Sequence, residues 1–160
     1  MSNTIIIGYG NPDREDDGVA WHILSELSSR LGNPAPDLYS DGFEPQGNPI
    51  DFLFRLQLMP ELAAIIAGYD RVCFVDAHTG AVPEDVHFVQ VNAQFQASPF
   101  THHMTPDTCL SLAQALYGRS PEAILVSVRG YQFGFEHSLS PGAARLAKIA
   151  ADRIWEWLAV

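Results

Sequence analysis

Four carboxylates crowd into the five residues Asp13-Arg14-Glu15-Asp16-Asp17, between the turn signal Gly8-Tyr9-Gly10-Asn11-Pro12 and Gly18. Acidic residues in the first turn of a helix complement its dipole by a few tenths to about 1 kcal/mol each, which accounts for one or two of them. Four so close repel one another unless a cation or solvent relieves the charge. A second acid, Asp76, ends the apolar run Arg71-Val72-Cys73-Phe74-Val75 and is followed by Ala77-His78-Thr79-Gly80. An aspartate so placed is either a functional group at a strand tip or a turn former. Thr101-His102-His103-Met104 adds two adjacent histidines. Their side chains point in different directions, so one site takes one of them, and the alternative is a pair of loop histidines with no role. A carboxylate from the first cluster, Asp76 and a histidine form an O/O/N donor set that suits a divalent first-row metal with open positions, nickel or zinc among them. The sequence contains no HExxH or other local metal spacing, so the fold must assemble any such site. Gly8-x-Gly10 also suggests a dinucleotide fingerprint, but the third glycine is missing and four acids would repel a pyrophosphate.

The elements that must position these groups are legible from pattern. Residues 4–9 (TIIIGY) read as a strand buried on both faces. Val19, Ile23, Leu27 and Leu31 recur at intervals of four, predicting a helix over 18–31 that Gly32 stops. Residues 33–49 are rich in proline and glycine, with a possible short strand at 37–40. Helical spacing returns at 60–67, with Pro60 suited to the first turn and Gly68 to the C-terminal cap. Residues 71–76 and 86–91 read as strands, Thr105-Pro106 opens a helix that runs to Tyr117-Gly118, and 123–128 is a further strand. Ser140 and Pro141 supply the N-cap and first position of a terminal helix, with Leu146, Ile149, Ile154 and Leu158 turned inward. Strands alternating with helices predict one α/β domain over 1–160, a three-layer α/β/α sandwich around a twisted, mostly parallel sheet of about five strands. In such sheets ligands bind beyond the carboxyl ends of the strands, which is where the cluster at 13–17 and Asp76 fall.

Composition narrows the partners. The chain has 160 residues, 47% apolar and 18% charged, with a net charge of −10. That is enough chain for a substantial core without a disulfide, a metal staple or an oligomer, so a monomer is expected. The negative charge argues against nucleic acid or an anionic membrane as partner, because both select clustered Lys and Arg. Cys73 and Cys109 make no zinc or redox motif and read as reduced, buried thiols of a cytoplasmic protein. The chain opens without a basic, signal-like segment, and no apolar run approaches the roughly 20 residues needed to span a bilayer.

At these residues the sequence resembles a known family. Ile5-Ile6-Ile7-Gly8-Tyr9-Gly10-Asn11-Pro12, leading to Asp16-Asp17-Gly18-Val19, is similar to the opening signature of the NiFe-hydrogenase maturation endopeptidases. The run Val72-Cys73-Phe74-Val75-Asp76-Ala77 resembles their Asp-Ala strand end, and Thr101-His102-His103-Met104 resembles their hydroxyl-and-histidine segment ahead of a Leu-rich helix. Leu139-Ser140-Pro141 matches their closing pattern, and the motifs occur in order over nearly the whole chain.

The resemblance implies a phosphorylase/hydrolase-like α/β/α fold. It also implies an activity, removal of a C-terminal extension from the hydrogenase large-subunit precursor after nickel insertion. By motif, the nickel-binding residues would be Asp17, where many relatives have glutamate, with Asp76 and His102; His103 is the competing histidine. These three would also carry the catalysis. No permanent cofactor is implied: nickel would come with the precursor, and zinc or cadmium could take its place. Peptide cleavage would then use the metal to polarise a carbonyl or water, or use Asp16 or Asp76 as a general base with the metal serving recognition.

Three features depart from or subdivide that pattern. Asp17 is one methylene shorter than glutamate. Asp41-Gly42-Phe43-Glu44 stands where better-known members have a Gly-Thr segment, and Gln57-Leu58-Met59-Pro60-Glu61-Leu62 resembles one subgroup of the family. Two other functions fit the same residues: a non-proteolytic maturation chaperone for the precursor, and an unrelated metal-dependent hydrolase of small molecules. His22, His87 and His137 read as surface or packing residues, and His78 as a rim contact.

Overall fold

Residues 3–33, 36, 43–94 and 104–160 are described by the structure, a computed structural model. Five strands form one sheet: β1 (Thr4–Tyr9), β2 (Ile50–Arg55), β3 (Arg71–His78), β4 (Val86–Val91) and β5 (Glu122–Arg129). Their order is β2-β1-β3-β5-β4. All pairings are parallel except that of the edge strand β4, which runs antiparallel to β5. The four parallel strands therefore deliver their carboxyl ends to one edge.

The β-branched run of β1 explains its place in the middle of the sheet. Successive side chains alternate between faces, so Ile6 packs on one side and Ile5 and Ile7 on the other. On the Ile6 side lie α1 (Val19–Arg30) and α4 (Pro141–Leu158), which contribute Val19, Ile23, Leu27, Leu146, Ala150 and Ile154. On the Ile5/Ile7 side lie α2 (Leu62–Ile66) and α3 (Pro106–Tyr117), through Leu62, Ile66, Leu110 and Ala113. The result is the expected three-layer α/β/α arrangement. Cys73 and Cys109 are buried free thiols. No helix among the described residues is long and apolar enough to cross a membrane.

Several elements differ from the sequence reading. The possible strand at 37–40 lies outside the described residues, and β2 forms instead at Ile50–Arg55. An acid inside that strand, Asp51, obscured it. Its buried carboxylate accepts hydrogen bonds from the backbone N–H groups of Gln46, Gly47 and Asn48 and from the Tyr69 hydroxyl at 2.6 Å, tying down the turn that feeds the strand. The second helix is shorter than predicted. The first opens with a 3₁₀ turn, Glu15–Gly18, before α1. Ile149 is 43% exposed and does not face the core.

Candidate functional site

The chain leaves β1 at Tyr9 and reverses through Gly10, Asn11 and Pro12 into the 3₁₀ turn. Gly10 has φ +139°, and a Cβ there would collide with the Asp17 carbonyl oxygen; only glycine fits this approach. Asn11 fixes the turn from both ends. Its side-chain oxygen accepts the Asp13 N–H at 2.9 Å, and its own N–H donates to Asp17 Oδ2 at 2.9 Å. Glu15 sits at φ +48°, a conformation that costs a non-glycine residue of order 1 kcal/mol or more. Its N–H donates to the Glu136 carbonyl at 2.8 Å, and its carboxylate accepts the Gly134 N–H at 3.1 Å.

The acidic cluster is relieved largely by protein donors from the segment that links β5 to α4. Asp13 pairs with His137 at 2.7 Å, and Arg14 donates twice to the Phe133 carbonyl, at 2.7 and 3.0 Å. Asp16 is 0% exposed. It accepts from the N–H groups of Tyr131 (2.7 Å), Gln132 (2.9 Å) and Ser140 (2.8 Å) and from the Ser140 hydroxyl (2.6 Å). Burial alone would raise its pKa. The Ser140 hydroxyl and the three N–H groups outweigh that, and the carboxyl is held below its ordinary value. A buried, four-fold hydrogen-bonded carboxylate of lowered basicity is a poor proton acceptor. Asp16 is thus removed from the general-base candidates and becomes the anchor of the β5–α4 segment.

Asp17 and Asp76 lie close enough for their charges to interact. Gly8 is the register partner of Val75, so Tyr9 and Asp76 follow side by side at the carboxyl edge. The Tyr9 hydroxyl donates to Asp76 Oδ2 at 2.7 Å. Asp76 Oδ1 is buried and has no hydrogen-bond partner among the described residues, a condition it shares there only with Arg129 Nε. Burial raises the Asp76 pKa. The hydroxyls of Ser127, its register partner, and Tyr9 oppose the rise, while the Asp17 charge adds to it. Burial, then the Asp76 charge and hydrogen bond, raise the Tyr9 pKa well above the ordinary phenol value, so at neutral pH this hydroxyl is a donor.

Of the remaining predicted groups, His102 and His103 lie outside the described residues. Met104, next in the chain, packs against the same apolar cluster as Tyr9. Thr105 caps α3, accepting the Thr108 N–H, with Pro106 in the first turn. His78 Nδ1 accepts the Gly80 N–H at 3.0 Å, so its Nε2 carries the proton and donates to the Glu84 carbonyl at 3.0 Å. Both ring nitrogens are thereby engaged within its own loop. Among the described residues no three His, Cys, Asp or Glu side chains are grouped to hold a metal ion. The sequence reading missed Tyr9, and the available signal was its place as the last strand residue beside the Asp76 strand.

The molecule is a three-layer α/β/α protein with a pair of carboxylates at the carboxyl edge of a parallel sheet. Its fold is shared along nearly its full length with solved hydrogenase maturation proteases. A [NiFe] hydrogenase maturation protease, HycI, from Thermococcus kodakarensis matches with TM-score 0.65 and 21% identity, covering 99% of this chain and 94% of that one. The hydrogenase maturating endopeptidase HybD from E. coli matches with TM-score 0.71 and 17% identity, covering 98% and 92%. A hydrogenase 2 maturation peptidase from a Thaumarchaeota archaeon gives TM-score 0.63 and 16% identity, covering 98% and 97%. No family model and no curated protein matches the chain. The likeness is one of fold.

Proposed function

We propose that this protein is an endopeptidase that removes the C-terminal extension of a NiFe-hydrogenase large-subunit precursor once nickel has been inserted. The observation that carries the reading is the pairing of Asp17 with Asp76 at the carboxyl edge, where Asp76 keeps one buried oxygen without a partner among the described residues. A buried carboxylate oxygen without a donor is costly, and a metal ion is the kind of ligand that offsets it. The fold shared with proteins titled as hydrogenase maturation proteases supports the substrate class.

Nickel belongs to the substrate in this reading, and the protein has no permanent cofactor. Asp17, Asp76 and His102 dock on open positions of the precursor's metal, so cleavage waits for loading; zinc or cadmium can occupy the same ligands. Hydrolysis adds water to the scissile carbonyl, breaks the C–N bond and returns a proton to the departing amine. Either the metal polarises the carbonyl or the water, or Asp76, whose pKa is raised by burial, accepts the water's proton and the metal serves recognition alone. Thiol chemistry has no support, because burial pushes Cys109 up to about 12 and Cys73 higher still.

The test is intact-mass analysis of a nickel-loaded precursor incubated with the protein. Wild type removes the extension. Asp76→Ala and His102→Ala are expected to lower the rate at least about 100-fold while the fold is retained. Loss by His103→Ala in place of His102→Ala would move the histidine by one position. Tight binding of precursor without any cleavage would favour a maturation chaperone.

A further inference from the structure

Asp17 and Asp76 each have one oxygen already committed to a donor, from the turn after β1 and from the last residue of β1 respectively. Asp17 Oδ2 accepts the Asn11 N–H at 2.9 Å, and Asp76 Oδ2 accepts the Tyr9 hydroxyl at 2.7 Å. The other Asp76 oxygen, Oδ1, is buried and has no hydrogen-bond partner among the described residues. A carboxylate left to itself can turn about its last bond and offer a metal either oxygen, or both. A phenol donating to one oxygen, with the Ser127 hydroxyl beside the group from the neighbouring strand, restricts its plane and leaves Oδ1 to bind. Outer-shell donors of this kind orient metal-binding carboxylates, and their loss typically weakens metal affinity 10- to 100-fold.

We propose that Tyr9 is a positioning residue that holds Asp76 as a one-oxygen ligand, directing Oδ1 toward the metal. This rests on the reading of Asp76 as a metal-docking carboxylate. The register gives the device its precision: Gly8 pairs with Val75, so the phenol and the carboxylate rise from neighbouring strand positions and depend on no loop. A purely structural account is that a partly buried phenol needs some acceptor. The two accounts differ in what removal of the hydroxyl does to the metal.

The experiment uses the full chain, with Zn²⁺ for calorimetric titration and ¹¹³Cd²⁺ for NMR, on wild type, Tyr9→Phe and Asp76→Ala. Tyr9→Phe keeps the ring that packs against the apolar cluster, and thermal melting checks that packing separately. The expected result is Zn²⁺ affinity lowered 10- to 100-fold in Tyr9→Phe, a displaced ¹¹³Cd resonance, and no binding in Asp76→Ala. A reading that needs no variant is the near-ultraviolet difference spectrum of wild type, where Zn²⁺ is expected to perturb a hydrogen-bonded tyrosine. Equal affinity and an unmoved resonance in Tyr9→Phe, with Asp76→Ala silent, would overturn the role of Tyr9 and leave Asp76 as a ligand. Absence of the tyrosine perturbation on Zn²⁺ binding would likewise overturn it. Equal Zn²⁺ binding by all three proteins would overturn the metal-docking reading itself, and the role of Tyr9 with it.

Discussion

Asp16 and Asp76 show how environment gives the same side chain opposite roles. Asp16 has four donors and a lowered pKa, whereas Asp76 has burial, a nearby negative charge and a raised one. The linkage signs follow. The depressed Asp16 pKa means that its stabilisation is fully present above the unfolded value of about 3.9 and is lost as pH falls through the folded value. Asp16→Asn is expected to cost about 2–4 kcal/mol at pH 7, since at least one of its donors loses an acceptor. Denaturant melts at pH 7 and near pH 3 should show the gap between variant and wild type narrowing in acid. Asp76 works the other way: its raised pKa makes ionisation costly in the folded state once pH exceeds the unfolded value. Asp76→Asn is therefore expected to raise the melting temperature at pH 7 by a few degrees and to abolish processing. A lower melting temperature would contradict the assignment of burial as the dominant effect.

At the scale of elements, the two helix starts that read most clearly in the sequence are also those that frame the site. Thr105-Pro106 and Ser140-Pro141 each show a cap followed by proline, and both form as read. They are not equivalent. Thr105 caps α3 and donates its hydroxyl to the Thr108 hydroxyl, while Ser140 caps α4 and donates its hydroxyl to the buried Asp16 carboxylate. Ser140→Ala is expected to cost about 2–3 kcal/mol, since it removes the cap and one donor to buried Asp16 together, measured by chemical denaturation. The positions of Asp17 and Asp76 were legible because the strand-end rule for parallel sheets points at them. The use of Asp13, Glu15 and Asp16 was not, because their partners lie more than a hundred residues downstream and no local pattern carries such contacts. Strand β2 was hidden for a related reason. Its acid, Asp51, looks wrong for a buried strand until the N–H groups of 46–48 and the Tyr69 hydroxyl are found around it. Ile149 lies three residues after Leu146 yet faces solvent, since the buried stripe of α4 runs through Leu146, Ala147, Ala150, Ala151 and Ile154 and leaves Ile149 to one side.

At the scale of the molecule, two apolar layers hold the sheet rigid and the chemistry gathers at one edge of it. Asp17 stands on a turn locked by Gly10 and Asn11, and Asp76 on a central strand. Such a frame suits a site that must measure a metal's open positions on a folded partner, because its ligands move little on docking. The claim that gives this arrangement its meaning is that nickel in the precursor is what the carboxylates read. The decisive measurement is intact mass of a hydrogenase large-subunit precursor, prepared nickel-loaded and nickel-free, after incubation with this protein. Loss of the C-terminal extension from the loaded precursor alone is the predicted result; equal cleavage of both forms would contradict the metal checkpoint, and cleavage of neither would contradict the endopeptidase assignment.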